Sequence, residues 1–388
     1  MLSRRHFIHT VGIGAAAGAA LAASPFPLRA FEPSRHGQAV GAKTALGAQR
    51  ASAILLNSNE NAYGPLPKTI AAMREALVWA NRYPDFDYDA LVWTISDLHK
   101  VQPQQVITGC GSTEILRATA MAFLAPGKKL ITAWPTFEAI AEYADAAGAE
   151  VVKLPLTSSY ANDLDAMLAQ ASNGPALVHV CNPNNPTASL TPRKDLETFI
   201  SRLPSSSYIL IDEAYHHFAV GVPEYTSFLD QPVENPRVIV ARTFSKVYGM
   251  AGMRLGYGIS SLQTTERLRR YQTQDNVNMV AAQAGVAALQ DPEEMQAAAR
   301  RNATDRHEFF AQAARRNVKV IPSYANFAML DAGRPAKSVA DYFRQNGILV
   351  GRPFPLMDNF VRVSFGRPNE MQQFWRLWDA LKNGYNGL

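Results

Sequence analysis

The stretch RTFSKVYGMAGMRLGY, residues 242–257, decides how this chain is read. It follows Val238-Ile239-Val240-Ala241, an apolar run without alternation, as expected of a strand covered on both faces. That strand runs into a polar turn ending in a single lysine, Lys246. Arg254 follows eight residues later, with Gly249, Gly252, Gly256 and Gly258 interspersed. An isolated Ser-Lys pair is ordinarily a solvated surface lysine. A lysine fixed at a strand end, among small residues and near a second cation, is also suited to act as a Schiff-base nucleophile, and on this stretch alone both readings stay open.

Upstream of this stretch, apolar runs alternate with segments of helical spacing. Strands are predicted at 105–108, 129–133, 150–154, 176–180 and 208–211. Helices are predicted at 67–81, 88–100, 111–124, 136–147, 163–170 and 192–202, the last opened by Thr191 as N-cap and Pro192 at the first helical position. The alternation argues for an α/β fold around a mostly parallel, doubly wound sheet. Beyond about residue 285 the order changes. A long helix (292–316), strands at 318–321 and 326–330, a helix at 336–345, strands at 348–350 and 360–365 and a C-terminal helix from 369 predict a smaller α+β domain.

At 388 residues, with 47% hydrophobic content, the chain can build one large and one smaller domain, and no internal repeat is evident. The formal net charge is +5; three of the 38 basic side chains lie before residue 31 and no acid does, so the remainder carries about +2. That balance argues against a nucleic-acid surface. Cys110 and Cys181 have neither metal-ligand spacing nor the pattern of a disulfide framework, and are read as free thiols. No metal motif or nucleophile elbow is present.

Residues 1–30 read as a processing segment. Arg4-Arg5 precedes a mild Ala/Gly-rich apolar run, Val11 to Ala23, shorter than the ~20 residues a bilayer span requires. The pattern resembles a bacterial twin-arginine signal, and implies export to the periplasm with no membrane span once the leader is removed. Residues 31–62 are expected to be a linker and an N-terminal segment packing on the small domain, residues 63–285 the large domain and residues 286–388 the small one.

Further motifs lie near the ends of predicted strands. They are Gly109-Cys110-Gly111-Ser112-Thr113-Glu114, a Gly-rich strand-to-helix turn suited to an anion; Trp134-Pro135-Thr136-Phe137; Cys181-Asn182-Pro183-Asn184-Asn185-Pro186-Thr187-Ala188; and Ile211-Asp212-Glu213-Ala214-Tyr215. Leu56-Asn57-Ser58-Asn59-Glu60-Asn61-Ala62-Tyr63-Gly64-Pro65, Tyr83-Pro84-Asp85, Gly351-Arg352-Pro353-Phe354 and Val361-Arg362-Val363-Ser364 complete the set. Taken in chain order, from about residue 54 to 366, they resemble the motifs of fold-type I aminotransferases that use pyridoxal 5'-phosphate (PLP). The spacing S-K-x-x-G-x-A-G-x-R-x-G-Y is most similar to the histidinol-phosphate aminotransferase branch.

The resemblance implies a role for each position. Lys246 would carry the cofactor as a Schiff base, Asp212 would face the pyridine nitrogen, and Asn185 and Tyr215 the ring hydroxyl. Phe137 would stack on the ring. Gly111, Ser112, Thr113, Thr243, Ser245 and Arg254 would hold the phosphate, joined by Tyr83 from the partner of a homodimer. Arg362 and Arg352 would bind substrate, with Asn61 and Tyr63 near its side chain. The sequence departs from the pattern at Ala188, where glycine is usual; a positive φ there would cost alanine about 1–2 kcal/mol. The implied activity is transamination between an amino acid, or a histidinol-phosphate-like amine, and a 2-oxo acid. A decarboxylase on the same scaffold and a non-catalytic PLP-fold protein are the alternatives. The exported leader favours a bulky or aromatic α-amino acid over a phosphate ester.

Overall fold

The computed structural model describes residues 53–383; the readings made for residues 1–30 and for most of the linker lie outside the described residues. β1 (Ile54–Leu56) leads into α1 (Pro67–Ala76) and α2 (Asp85–His99). There follow β2 (Val106–Cys110), α3 (Ser112–Phe123), β3 (Lys129–Trp134), α4 (Ala139–Ala146), β4 (Glu150–Pro155), α5 (Leu164–Ala171), β5 (Ala176–Cys181), α6 (Arg193–Arg202) and β6 (Tyr208–Asp212). β7 (Val238–Thr243), β8 (Leu255–Ile259), α7 (Leu262–Arg269) and α8 (Met279–Leu289) come next. The chain then runs through α9 (Pro292–Arg315), β9 (Phe327–Asp331), α10 (Ala336–Gln345), β10 (Ile348–Val350), β11 (Phe360–Ser364) and α11 (Pro368–Asn383).

Seven strands form one sheet in the order β2-β8-β7-β6-β5-β3-β4. The pairs from β7 to β4 are all parallel, and β8 runs antiparallel to both its neighbours. The absence of alternation in the apolar runs has a direct cause. Val178, Val180, Ile209, Ile211, Val238 and Val240 enter one hydrophobic cluster, whereas Leu177, Leu210, Ile239 and Ala241 enter another. Successive side chains point to opposite faces of the sheet, and both faces are covered by helices, so nearly every position is apolar. The exception, His179 in β5, is buried with its Nδ1 hydrogen-bonded to the Thr132 hydroxyl at 3.0 Å. Each such aliphatic side chain contributes about 1.5–3 kcal/mol on burial.

β8 is a strand that periodicity does not announce, because glycine is depleted in strands. Its glycines are required by packing: a Cβ at Gly256 would collide with the backbone at Gly111–Ser112, and one at Gly258 would press on Ile115 of α3. α8 is apolar around almost its whole circumference, so no polar stripe marks it as a helix. Two expectations are corrected. Pro192 is the N-cap of α6 and not its first residue, while the Thr191 hydroxyl accepts hydrogen bonds from Asn162 N and Nδ2, at 3.0 and 2.8 Å. The segment 318–321 is no strand; it makes a single bridge, Val320 to Leu330.

The remaining strands form two small sheets, β1 parallel to β10 and β11 antiparallel to β9. Leu56 of β1 packs in a cluster with Phe309, Phe343, Phe374 and Trp378. Ala188 does adopt the left-handed conformation, at φ +58°, and is fully buried. Its methyl recovers much of the backbone cost: burying one carbon is worth about 0.8 kcal/mol, and alanine restricts the unfolded chain by about 0.4–1 kcal/mol relative to glycine.

Candidate active site

The carboxyl ends of β5, β6 and β7 (Cys181, Asp212 and Thr243) open onto a cavity of about 450 Å³. This is where open parallel sheets bind ligands. Lys246, Asp212, Tyr215, Ser112, Thr113, Phe137, Asn185, Thr243, Ser245, Arg254, Arg352 and Arg362 all line it. Gly111 stands behind the wall as the N-cap of α3. Three candidates lie elsewhere in this chain. Tyr83 is 78% exposed on the surface. Tyr63 donates its hydroxyl to Asp305 Oδ2 at 3.1 Å, and Asn61 donates to the Val247 carbonyl at 2.9 Å.

Lys246 Nζ donates to the carbonyl oxygens of Asn59 (3.1 Å) and Ser58 (3.4 Å). Burial, with help from the Arg362 charge, lowers its pKa to about 8, so an appreciable fraction is neutral and nucleophilic near neutrality. Asp212 is buried at the end of β6, and burial raises its pKa to about 6. Its carboxylate receives one hydrogen bond, from Ala214 N–H at 3.1 Å. A buried carboxylate with so little compensation is suited to a cationic N–H partner. Tyr215 accepts a hydrogen bond from Asn59 Nδ2 at 3.0 Å and packs edge-on against Phe327; burial holds its hydroxyl protonated.

The anion end is built by two close approaches. Gly111 has φ +76°, and a Cβ there would occupy the place of the Arg254 guanidinium. Arg254 sits at a left-handed position (φ +58°), held by a 2.9 Å bond from Nη1 to the Ala251 carbonyl. The N-terminus of α3, with the Ser112 and Thr113 hydroxyls, faces the same space, together with Thr243 and Ser245, whose hydroxyls bond each other at 2.9 Å. Free N–H groups, hydroxyls and a guanidinium together make a phosphate cradle. The residues present therefore fit PLP: a primary amine, a phosphate cradle and a buried carboxylate surround one cavity.

Arg362, on β11, is 8% exposed. Nη1 donates to Asn185 Oδ1 and Nη2 to the Asn57 carbonyl, both at 2.6 Å, while Nε has no partner. Burial lowers its pKa to about 10, leaving it cationic. Arg352 is half-exposed and pairs with Glu138. Several wall residues escaped the sequence reading: Asn59, Glu138, Glu142 and Phe354. Asn59 lies inside a motif singled out for Asn61 and Tyr63. Its left-handed backbone (φ +54°), a conformation asparagine tolerates, is what turns it inward. The two thiols are free, Cys181 buried and Cys110 exposed. Among the described residues, no group of His, Cys, Asp and Glu is placed to hold a metal, and no helix is long and apolar enough to cross a membrane.

Comparison with known proteins agrees with this geometry. The family described as "Aminotransferase class I and II" matches residues 51–376. The chain is 36% identical over 326 residues to a histidinol-phosphate aminotransferase of Symbiobacterium thermophilum, covering 83% of this chain and 88% of that protein. It is 35% identical, with the same coverage, to an aromatic amino acid aminotransferase of Rhodococcus jostii. Among solved structures, the histidinol-phosphate aminotransferase from Sinorhizobium meliloti in complex with pyridoxal-5'-phosphate superposes with a TM-score of 0.79 at 25% identity, covering 91% of this chain and 98% of that one. The chain belongs to the class I and II aminotransferases, a PLP-dependent family.

Proposed function

We propose that the enzyme moves an amino group from a bulky or aromatic α-amino acid to a 2-oxo acid. The observation that carries this reading is the buried Arg362 guanidinium, which lines the cavity that also holds Lys246 and Asp212 and is bonded to neutral oxygens. PLP, when bound, supplies the electron sink for labilising bonds at the substrate's Cα. Lys246 would anchor the cofactor and then serve to move a proton. Asp212 would keep a proton on the ring nitrogen, and Asn185 and Tyr215 would hold the ring hydroxyl. Arg362 grips the α-carboxylate, and Phe137 and Phe354 supply apolar wall. In this reading residues 63–285 are the cofactor domain and 286–388 the smaller one.

Incubation with PLP, phenylalanine and 2-oxoglutarate should yield glutamate and phenylpyruvate. Release of CO2 in place of an oxo acid would establish the decarboxylase reading instead. Arg362→Ala should lower kcat/KM for the amino acid about 10–150-fold, the equivalent of a charge-assisted hydrogen bond worth about 1.5–3 kcal/mol, with PLP still bound. Unchanged turnover would remove Arg362 from the substrate site.

A homodimer is part of the same proposal. Val78, Trp79, Tyr83, Phe86 and Trp93 are large apolar or aromatic side chains left exposed around α1 and α2, Phe86 at 90%. A surface of this kind is ordinarily covered by a partner. Tyr83, on that surface, would reach the partner's cofactor phosphate. Hybrid dimers of a Lys246→Ala chain with a Tyr83→Phe chain separate the cases. A shared tyrosine gives one intact site per hybrid and recovered activity, whereas a tyrosine serving its own chain gives none.

Export is the remaining part, supported by Arg4-Arg5 and the apolar run that follows. Changing both arginines to lysine should leave the enzyme in the cytoplasm with its leader intact. Unaltered periplasmic recovery would refute the twin-arginine route.

A further inference from the structure

An ion pair crosses the wall of the cavity, and its two residues lie 214 positions apart in the chain. Glu138 immediately precedes α4 and Arg352 lies two residues beyond β10; Arg352 Nη2 donates to Glu138 Oε2. Glu142, one turn further along α4, lines the same cavity. Phe354 carries two cations against its ring, Arg352 at 4.5 Å and Arg362 at 4.9 Å from its centre. The two arginines thus share one aromatic wall but stand in different electrostatic states. Arg362 is buried and bonded to neutral oxygens, whereas Arg352 already has a carboxylate.

This arrangement bears on the charge of the anion that the site accepts. Two free arginines side by side would match a phosphate dianion. Here Glu138 cancels one of them, and Glu142 adds a second negative charge on the same wall. A monoanionic carboxylate can use Arg362 without disturbing the pair. A dianion must either compete with Glu138 for Arg352 or lie close to two carboxylates, and like charges brought together in a partly desolvated site are strongly disfavoured.

We infer that Glu138 is a specificity-determining residue, which commits Arg352 and so selects carboxylate-bearing amino donors over phosphate-bearing ones. The inference rests on the amino-acid aminotransferase reading above. It adds to that reading the residue that sets the charge of the donor, and Glu138 belongs to none of the motifs that identify the cofactor site.

The test compares L-phenylalanine with histidinol phosphate as donors for the PLP-loaded full chain. Both kcat/KM and the calorimetric Kd are measured, in wild type, Glu138→Gln, Glu138→Ala and the double variant Glu138→Gln/Arg352→Gln. Relative to phenylalanine, histidinol phosphate should gain at least about tenfold in kcat/KM when Glu138 is neutralised, on the scale of one removed like-charge contact. Its Kd should fall in parallel. Adding Arg352→Gln should cancel the gain, because the gain comes from releasing that guanidinium. An unchanged or falling ratio in both Glu138 variants overturns the inference, as does a gain that survives loss of Arg352. If wild type transaminates phenylalanine and the ratio does not move, the inference alone fails. If wild type neither binds nor transaminates phenylalanine, the amino-acid reading fails and the inference falls with it.

Discussion

After removal of free PLP by desalting, the Lys246→Ala chain should carry no protein-bound visible absorption band, while the wild-type chain retains one. Lys246 is the only primary amine among the residues lining the cavity, so covalent retention of an aldehyde cofactor depends on it. After borohydride reduction, the mass of the wild-type chain should rise by one reduced cofactor and that of the variant should not. Turnover should fall by at least the 10²–10⁴-fold that a positioned acid or base contributes, with loss of anchorage added. The reaction also has a pH signature. Because burial lowers Lys246 to about 8, the amine is largely neutral above that pH, and capture of PLP by cofactor-free enzyme should accelerate up to about pH 8 and then level off. The same shift has a sign for stability. The folded value lies below the ordinary 10.5, so the group disfavours folding at low pH and this cost is relieved as pH rises from about 8 to 10.5. A visible band in the Lys246→Ala protein would assign the amine elsewhere.

Asp212→Asn should retain PLP yet lose at least about 10²-fold in turnover, a barrier increase of about 2.7 kcal/mol or more. The substitution preserves shape and the hydrogen bond from Ala214, so a purely structural role would leave the rate almost intact. What it removes is charge. Burial has already pushed the Asp212 carboxyl up to about 6, so the site spends stability to keep an acid there, and a protonated ring nitrogen would restore the balance. A bound-cofactor spectrum that shifts while the Kd for PLP changes little would separate an electronic effect from a fold defect. Near-normal turnover would mean that another acid performs this task.

Most of the sheet was legible in the sequence because its physical demand is simple. Strands covered on both faces must bury nearly every position, and the runs at β5, β6 and β7 are apolar along most of their length, His179 in β5 being buried with Thr132 as its partner. β8 was hidden because the demand there is closeness rather than hydrophobicity: Gly256 and Gly258 are present for what they lack. The cofactor half of the candidate site was legible because its residues occupy fixed places at strand ends. Lys246, Asp212, Thr243, Ser112 and Arg254 meet around one cavity. The substrate half was less so. Arg362 and Arg352 were visible as candidates, but Glu138 became significant only when the fold set it against Arg352, 214 residues away in sequence. Asn61 and Tyr63 were chosen from the right segment, yet it is Asn59 that turns inward, by a backbone angle that no side-chain pattern encodes.

Asn59 has a consequence for the order in which the enzyme comes into being. Its main-chain N–H and side-chain oxygen both engage the Ser364 hydroxyl, across 305 residues, while its carbonyl receives the Lys246 amine. Loop closure over so long a span adds little to the equilibrium cost, because that cost grows only with the logarithm of length. In time it matters more, since distant contacts form late. On the ribosome the lysine is made well before β11, so a nascent chain can have its sheet and still lack the carbonyl setting that holds the amine in place. Cofactor capture in the finished geometry thus waits on β11, a strand translated well after the lysine it helps to place.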